Sequence, residues 1–115
     1  MKRILIIEDD RSIAEIEKDY LEMSGYFVSV AYDGETGLKR IQTEKFDLVI
    51  LDIMLPGRDG FSILSSLPED KDFPIIVVSA KDEEFSKIKG LGLGADDYMT
   101  KPFSMGELVA RVSRQ

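Results

Sequence analysis

Leu48-Val49-Ile50-Leu51-Asp52 sets four consecutive aliphatic residues directly before one carboxylate. An unbroken apolar run of that length reads as a strand buried on both faces, the mark of a parallel sheet covered by helices. On either side of it, Ile4-Leu5-Ile6-Ile7 and Ile75-Ile76-Val77-Val78 repeat the pattern with mostly β-branched residues. Phe27-Val28-Ser29-Val30-Ala31 alternates instead, which suits a less buried strand nearer the sheet edge. A fifth strand falls near Asp97–Thr100.

The intervening stretches carry helical signals. Ile13, Ile16, Tyr20 and Leu21 recur at helical spacing, and Ser24-Gly25 supplies a stop. Asp33-Gly34 opens a second helix with Leu38 and Ile41 on one face, and Pro68 ends a short third helix at or before Leu67. Gly90, Gly92 and Gly94 punctuate the end of a fourth helix. An interior glycine costs roughly 0.5–1 kcal/mol relative to alanine, so this end is expected to fray and to ease rearrangement of the helix. Ser104 and Glu107 have capping-box spacing ahead of Leu108, Val109 and Val112, which starts the last helix. Strict β-α alternation with right-handed crossovers predicts helices on both faces of a five-stranded sheet. The length fits one domain over residues 1–115, with no linker, no repeat and no output domain in this chain.

Composition excludes much of enzymology. The chain has 15 Lys+Arg against 22 Asp+Glu, a formal charge of −7, and neither histidine nor cysteine. Structural zinc, Ser-His-Asp or Cys-His catalysis, disulfides and a phosphohistidine carrier are therefore out. The acidic excess disfavours direct binding to DNA or anionic membrane. No apolar run approaches the ~20 residues of a membrane span, and the four aliphatic residues after Met1-Lys2-Arg3 are too few for a signal peptide. A soluble, cytoplasmic domain without membrane contact is expected. Its chemistry must rest on carboxylates, hydroxyls, lysine or a hard metal.

Ligands of open α/β sheets bind beyond the carboxyl ends of the strands. Those ends read Glu8-Asp9-Asp10, Asp52, Ser79-Ala80 and Lys101-Pro102. Each has an ordinary reading: an acidic run caps a helix, a terminal serine bonds a loop, a lysine is solvated. Asp52 resists that reading because it follows a fully apolar strand near the sheet's centre, where unpaired carboxylates repel and are costly to desolvate. Carboxylates without nitrogen or sulfur donors suit Mg²⁺, and a lysine and a hydroxyl supply partners for phosphoryl oxygens. An aspartate can itself be the nucleophile, giving an acyl phosphate. Gly90-Leu91-Gly92-Leu93-Gly94 is not a dinucleotide loop, because it follows a helix with no strand leading into it.

At this point the sequence resembles the response-regulator receiver domains of two-component signalling over essentially its whole length. The resemblance is carried by Ile6-Ile7-Glu8-Asp9-Asp10, by Leu51-Asp52-Ile53-Met54-Leu55-Pro56-Gly57-Arg58-Asp59-Gly60, by Val78-Ser79-Ala80, and by the stretch from Gly94 through Ala95-Asp96-Asp97-Tyr98-Met99-Thr100-Lys101-Pro102 to Phe103. It implies a flavodoxin-like (βα)5 fold, doubly wound, with strand order 2-1-3-4-5. It implies that Asp52 accepts the phosphoryl group from a partner histidine kinase, and that Glu8, Asp9, Asp52 and the backbone carbonyl of Met54 hold Mg²⁺. Lys101 would pair with the phosphoryl group, and the hydroxyl of Ser79 would swing to it while Tyr98 turns inward. The Lys101-Pro102 bond is cis in this family, and Met54 and Lys81 flank the site.

The pattern Met54-Leu55-Pro56-Gly57, with Gly-Ala-Asp-Asp-Tyr later, most resembles the OmpR/PhoB subfamily of transcription factors. There, the face made by the fourth helix, fifth strand and fifth helix forms a two-fold dimer on activation. Lys87, Asp97, Glu107 and Arg111 match its cross-dimer charges, and Ile88, Leu91 and Ala110 its apolar patch. The ordinary reading is mixed charge on solvated helices, worth at most ~1 kcal/mol per exposed pair. DNA would be reached only through an output domain that this chain lacks. Two other classes fit less well. A haloacid-dehalogenase-type phosphatase needs a second Asp two residues after the nucleophile, where this chain has Met54. An atypical, unphosphorylated receiver usually lacks acidic or lysine site residues, whereas Glu8, Asp9, Asp52 and Lys101 are all present. The expectation is a phosphorylation-driven switch acting by population shift, not a conventional turnover enzyme.

Overall fold

The structure, a computed structural model, describes residues 2–56, 59–68, 70–80, 89 and 91–115. Five parallel strands, β1 (Arg3–Ile7), β2 (Phe27–Ala31), β3 (Leu48–Asp52), β4 (Ile75–Ser79) and β5 (Asp97–Thr100), form one sheet in the order β2-β1-β3-β4-β5. That is the order expected. The helices are α1 (Arg11–Met23), α2 (Gly34–Thr43), α3 (Gly60–Ser66) and the C-terminal helix Met105–Arg114. Of the helix expected between β4 and β5, Lys89, Leu91 and Gly92 are described, and all three are helical. Its last helical residue is Gly92, within the glycine pattern, and Gly94 follows with a φ of +107° that is costly for any other residue.

Residues alternate between two cores across the sheet. Ile4, Ile6, Ile50, Ile76, Val78 and Met99 face Leu21 of α1 and Leu108 and Val112 of the C-terminal helix. Leu5, Ile7, Val49, Leu51, Val77 and Tyr98 face Leu38 of α2 and Ile63 and Leu64 of α3. Full burial of each such aliphatic side chain stabilises by roughly 1.5–3 kcal/mol. β2 is the least buried of the five-residue strands, as its edge position and alternating sequence predict.

Side-chain caps set the helix starts. Asp10, Asp33, Asp59 and Ser104 accept hydrogen bonds from the amides of Ile13, Thr36, Ser62 and Glu107 at 3.1, 2.7, 2.8 and 3.0 Å. The amide of Thr36, and then its hydroxyl, hold the Asp33 carboxyl below its usual range. Pro68 has the expected effect, since α3 stops at Ser66 and Leu67 is already extended.

The inner face of α1 agrees with the expected one at Leu21 and differs at Ile16 and Tyr20. Ile16 and Tyr20 are 48% and 47% exposed, whereas Ala14, Glu17 and Leu21 are buried. Periodicity chose a stripe turned by one residue, because the true inner row carries a glutamate.

Candidate functional site

β1 and β3 are neighbours, with Ile6 opposite Ile50 and Ile7 opposite Leu51. Continuing that register sets Glu8 beside Asp52. Both share the parity of Ile4, Ile6 and Ile50, so their side chains leave the sheet on the side of α1. Lys101 continues the parity of Met99 and arrives on the same side. Its Nζ donates to Oε1 of Glu8 at 2.5 Å and to Oδ2 of Asp52 at 3.2 Å.

One ammonium therefore serves two carboxylates that are nearly sealed from water, Glu8 being 1% and Asp52 4% exposed. Burial, and then the hydrogen-bonded Asp52, push the Glu8 carboxyl above its usual range against the pull of Lys101. Burial pulls Lys101 down, but its bond to Glu8 and the charges of Asp52 and Glu8 more than offset this and keep it an ammonium. The backbone completes the arrangement. The Asp10 amide donates to Oε2 of Glu8 at 3.2 Å, and the Met54 amide to Oδ1 of Asp52 at 3.0 Å.

Asp9 is exposed at the rim, and carboxylate oxygens of Glu8, Asp9 and Asp52 lie within 4.8 Å of one another. An oxygen-only donor set, in a chain without His or Cys, fits a hard divalent cation and fits zinc or copper poorly.

Ser79 ends β4, adjacent to β3, where Val78 pairs with Asp52. It is buried, and its carbonyl accepts from the Lys101 amide at 2.8 Å. Tyr98 is buried in the core on the opposite side of the sheet from Glu8 and Asp52. The Lys101-Pro102 peptide is cis, as the resemblance implied.

At the far edge, Arg111 reaches Oδ1 of Asp97 at 2.6 Å and Oε2 of Glu107 at 3.1 Å, while Arg114 reaches Asp97 at 3.4 Å. Bonds to Asp97 raise the Arg111 guanidinium further. Leu91 is half-exposed and Ala110 exposed on this face. Gly57, Arg58, Lys81, Lys87, Ile88 and Gly90 lie outside the described residues.

One site residue escaped the sequence reading. A Cβ on Gly60 would stand 2.7 Å from the Asp52 carbonyl oxygen and 2.7 Å from Ile53 Cα. The Gly60 amide also donates to the Ile53 carbonyl at 2.9 Å, so α3 starts against the backbone that carries Asp52. The signal available was Asp59-Gly60 itself, an N-cap followed by the residue with no side chain.

Comparison with known proteins agrees with this geometry. The family model described as the response regulator receiver domain matches residues 4–113. The chain is 54% identical over 112 residues to the alkaline phosphatase synthesis transcriptional regulatory protein PhoP of Bacillus subtilis, covering 96% of this chain and 47% of that protein. It thus spans about half the length of this curated relative. The Francisella response regulator 1452 receiver domain superposes with a TM-score of 0.93 at 40% identity, covering 99% of this chain and 95% of that one. DrrB, an OmpR/PhoB homolog of Thermotoga maritima, gives 0.89 at 35% identity over 99% of this chain and 52% of that one. A five-stranded parallel sheet in receiver order, its acidic cluster at the carboxyl edge and these relatives agree: the chain belongs to the response regulator receiver domain family and is OmpR/PhoB-like.

Proposed function

We propose that Asp52 is the phosphoacceptor of a signalling switch charged by a partner sensor histidine kinase. The observation that carries this reading is the single Lys101 ammonium bonded to both Glu8 and Asp52, in contact with a three-carboxylate cluster. A carboxylate oxygen of Asp52 attacks phosphorus, an O–P bond forms, and the N–P bond of the kinase's phosphohistidine breaks. The histidine nitrogen leaves with the bonding pair and needs no proton from this chain, which suits a site with no histidine of its own. Lys101 stays charged and turns from Glu8 towards the new phosphoryl oxygens. The Ser79 hydroxyl donates to one of those oxygens, and Tyr98, already buried in this structure, is the aromatic partner of that switch.

Glu8, Asp9, Asp52 and the Met54 carbonyl are the residues that would hold Mg²⁺. When bound, the ion supplies the positive charge that lets an anionic phosphoryl group approach three carboxylates. The domain catalyses its own charging and discharge and is not a turnover enzyme.

The output reading is supported by the length of the PhoP relative, of which this chain covers 47%, and by the Asp97-Arg111-Glu107 network. Residues 1–115 form the receiver portion of a regulator that acts in the cytoplasm and reaches DNA through a separate domain. On phosphorylation, Asp97, Glu107 and Arg111 exchange their present partners within the chain for those of a second copy across a two-fold axis, joined by Lys87, Ile88, Leu91 and Ala110. Among the described residues, no helix is long and apolar enough to cross a membrane.

Incubation with Mg²⁺ and a small-molecule phosphodonor, followed by intact-mass measurement, tests the central claim. A gain of one phosphoryl group, lost in Asp52→Asn and in chelator, is expected. No gain at saturating donor would refute it.

A further inference from the structure

The inner row of α1 reads Ala14, Glu17, Leu21. Glu17 is 0% exposed, and neither of its carboxyl oxygens has a hydrogen-bond partner among the described residues. A carboxylate is a poor occupant of such a place, while a neutral carboxyl is tolerable there. The surrounding charges reinforce this. Glu8 at the end of β1 and Asp52 at the end of β3 oppose ionisation, and Lys101 after β5 favours it. The edge strand β2 has no charged residue. On the C-terminal helix, Glu107, Arg111 and Arg114 are engaged with one another and with Asp97.

We propose that Glu17 makes the seating of α1 on the sheet conditional on a proton. With the carboxyl neutral, the helix lies flat on Leu21 and the strand residues beneath it. When the carboxyl ionises, α1 must lift or admit water. Glu8, the neighbouring buried acid, differs because both of its oxygens accept hydrogen bonds, from Lys101 and from the Asp10 amide. α1 begins directly after Glu8, Asp9 and Asp10, so loosening it loosens the acidic end of the sheet.

Burial first, and then Glu8, push the Glu17 carboxyl from its ordinary 4.5 to about 8. An acid raised in the folded state stabilises fully below its unfolded value. That stabilisation is withdrawn as pH rises from about 4.5 to about 8 and is gone above it. A chain without histidine or cysteine has no side chain whose ordinary value lies inside that window.

The test is Tm against pH for the wild type, Glu17→Gln and Glu17→Leu. Glutamine has the shape of the protonated acid. Its Tm should match the wild type near about pH 5 and exceed it by about 5 °C or more at about pH 8. Changes common to all three proteins cancel in the difference. Should glutamine fail to fold, leucine serves, with a constant offset added to the same widening gap. Amide exchange in α1, corrected for intrinsic rate, should speed up in the wild type over the same interval and not in the variants. A Tm difference that stays flat with pH in the folded variants would overturn the proposal.

Discussion

The Lys101 ammonium stands 2.5 Å from Glu8 and 3.2 Å from Asp52, so the more deeply buried acid has the closer hold on the only cation bonded to either carboxylate among the described residues. Lys101→Ala should therefore destabilise the domain by about 2–4 kcal/mol in urea denaturation, because two sealed carboxylates lose their counter-charge. Glu8 is already raised above its usual range, so it should take up a proton readily in the variant. The loss should shrink as pH falls from neutral towards the usual carboxylate range. A penalty that does not change with pH would show that Lys101 acts by packing alone.

Mg²⁺ should raise the Tm of the wild type, and chelation should reverse the gain. Asp9 is exposed, unlike Glu8 and Asp52, so Asp9→Asn should weaken the response with little change in stability without metal. The loss expected is tenfold or more in apparent affinity, about 1.4 kcal/mol. Titration calorimetry in magnesium chloride reads this directly.

Two glycines should respond to alanine for different reasons. At Gly60 the added methyl meets backbone, at 2.7 Å from both the Asp52 carbonyl oxygen and Ile53 Cα. Gly60→Ala should cost about 2 kcal/mol or more and slow phosphoryl acceptance through displacement of Asp52. At Gly37 the methyl meets Ile7 Cδ1 at 2.6 Å and Cγ1 at 2.8 Å, which are side-chain atoms. Gly37→Ala should be partly rescued by Ile7→Ala, with a coupling of about 1 kcal/mol in the double-mutant cycle. No side-chain truncation at Ile53 should rescue Gly60→Ala to the same degree.

Arg111 ties Asp97 to Glu107 within one chain. Arg111→Ala should lower monomer stability by no more than about 1 kcal/mol, since its side chain is partly exposed. Sedimentation with phosphodonor and Mg²⁺ should show a dimer for the wild type and a monomer for the variant. An undiminished dimer would place the activation interface elsewhere.

The three central strands were legible because each is apolar without interruption, and the carboxyl ends of β1 and β3, with that of β5, then located Glu8, Asp9, Asp52 and Lys101 as one group. Strand order itself came with the family resemblance, since periodicity does not say which strands are neighbours. Helix starts were legible through Asp33 and Ser104, whose side chains do what short polar residues do before a helix. The face of α1 was not. Ile13, Ile16 and Tyr20 outweigh Glu17 on any scale of hydrophobicity, and an exposed Ile16 over a buried Glu17 inverts that scale. The bonding of Lys101 to Glu8 as well as Asp52 was equally hidden, because it depends on three strand ends meeting at ångström distances.

Side-chain parity makes the site sensitive to chain length in a way that substitutions would not reveal. Glu8, Asp52 and Lys101 share one side of the sheet because each sits an even number of residues beyond Ile6, Ile50 and Met99. A one-residue deletion within β3 would turn Asp52 towards α2 and α3 and leave Lys101 with Glu8 alone, even if every other residue kept its identity. Insertions and deletions should thus be tolerated in the α2–β3 connection at Lys45, where slack can be absorbed before the strand begins. They should be excluded from Leu48 to Asp52 more strictly than any conservative exchange there.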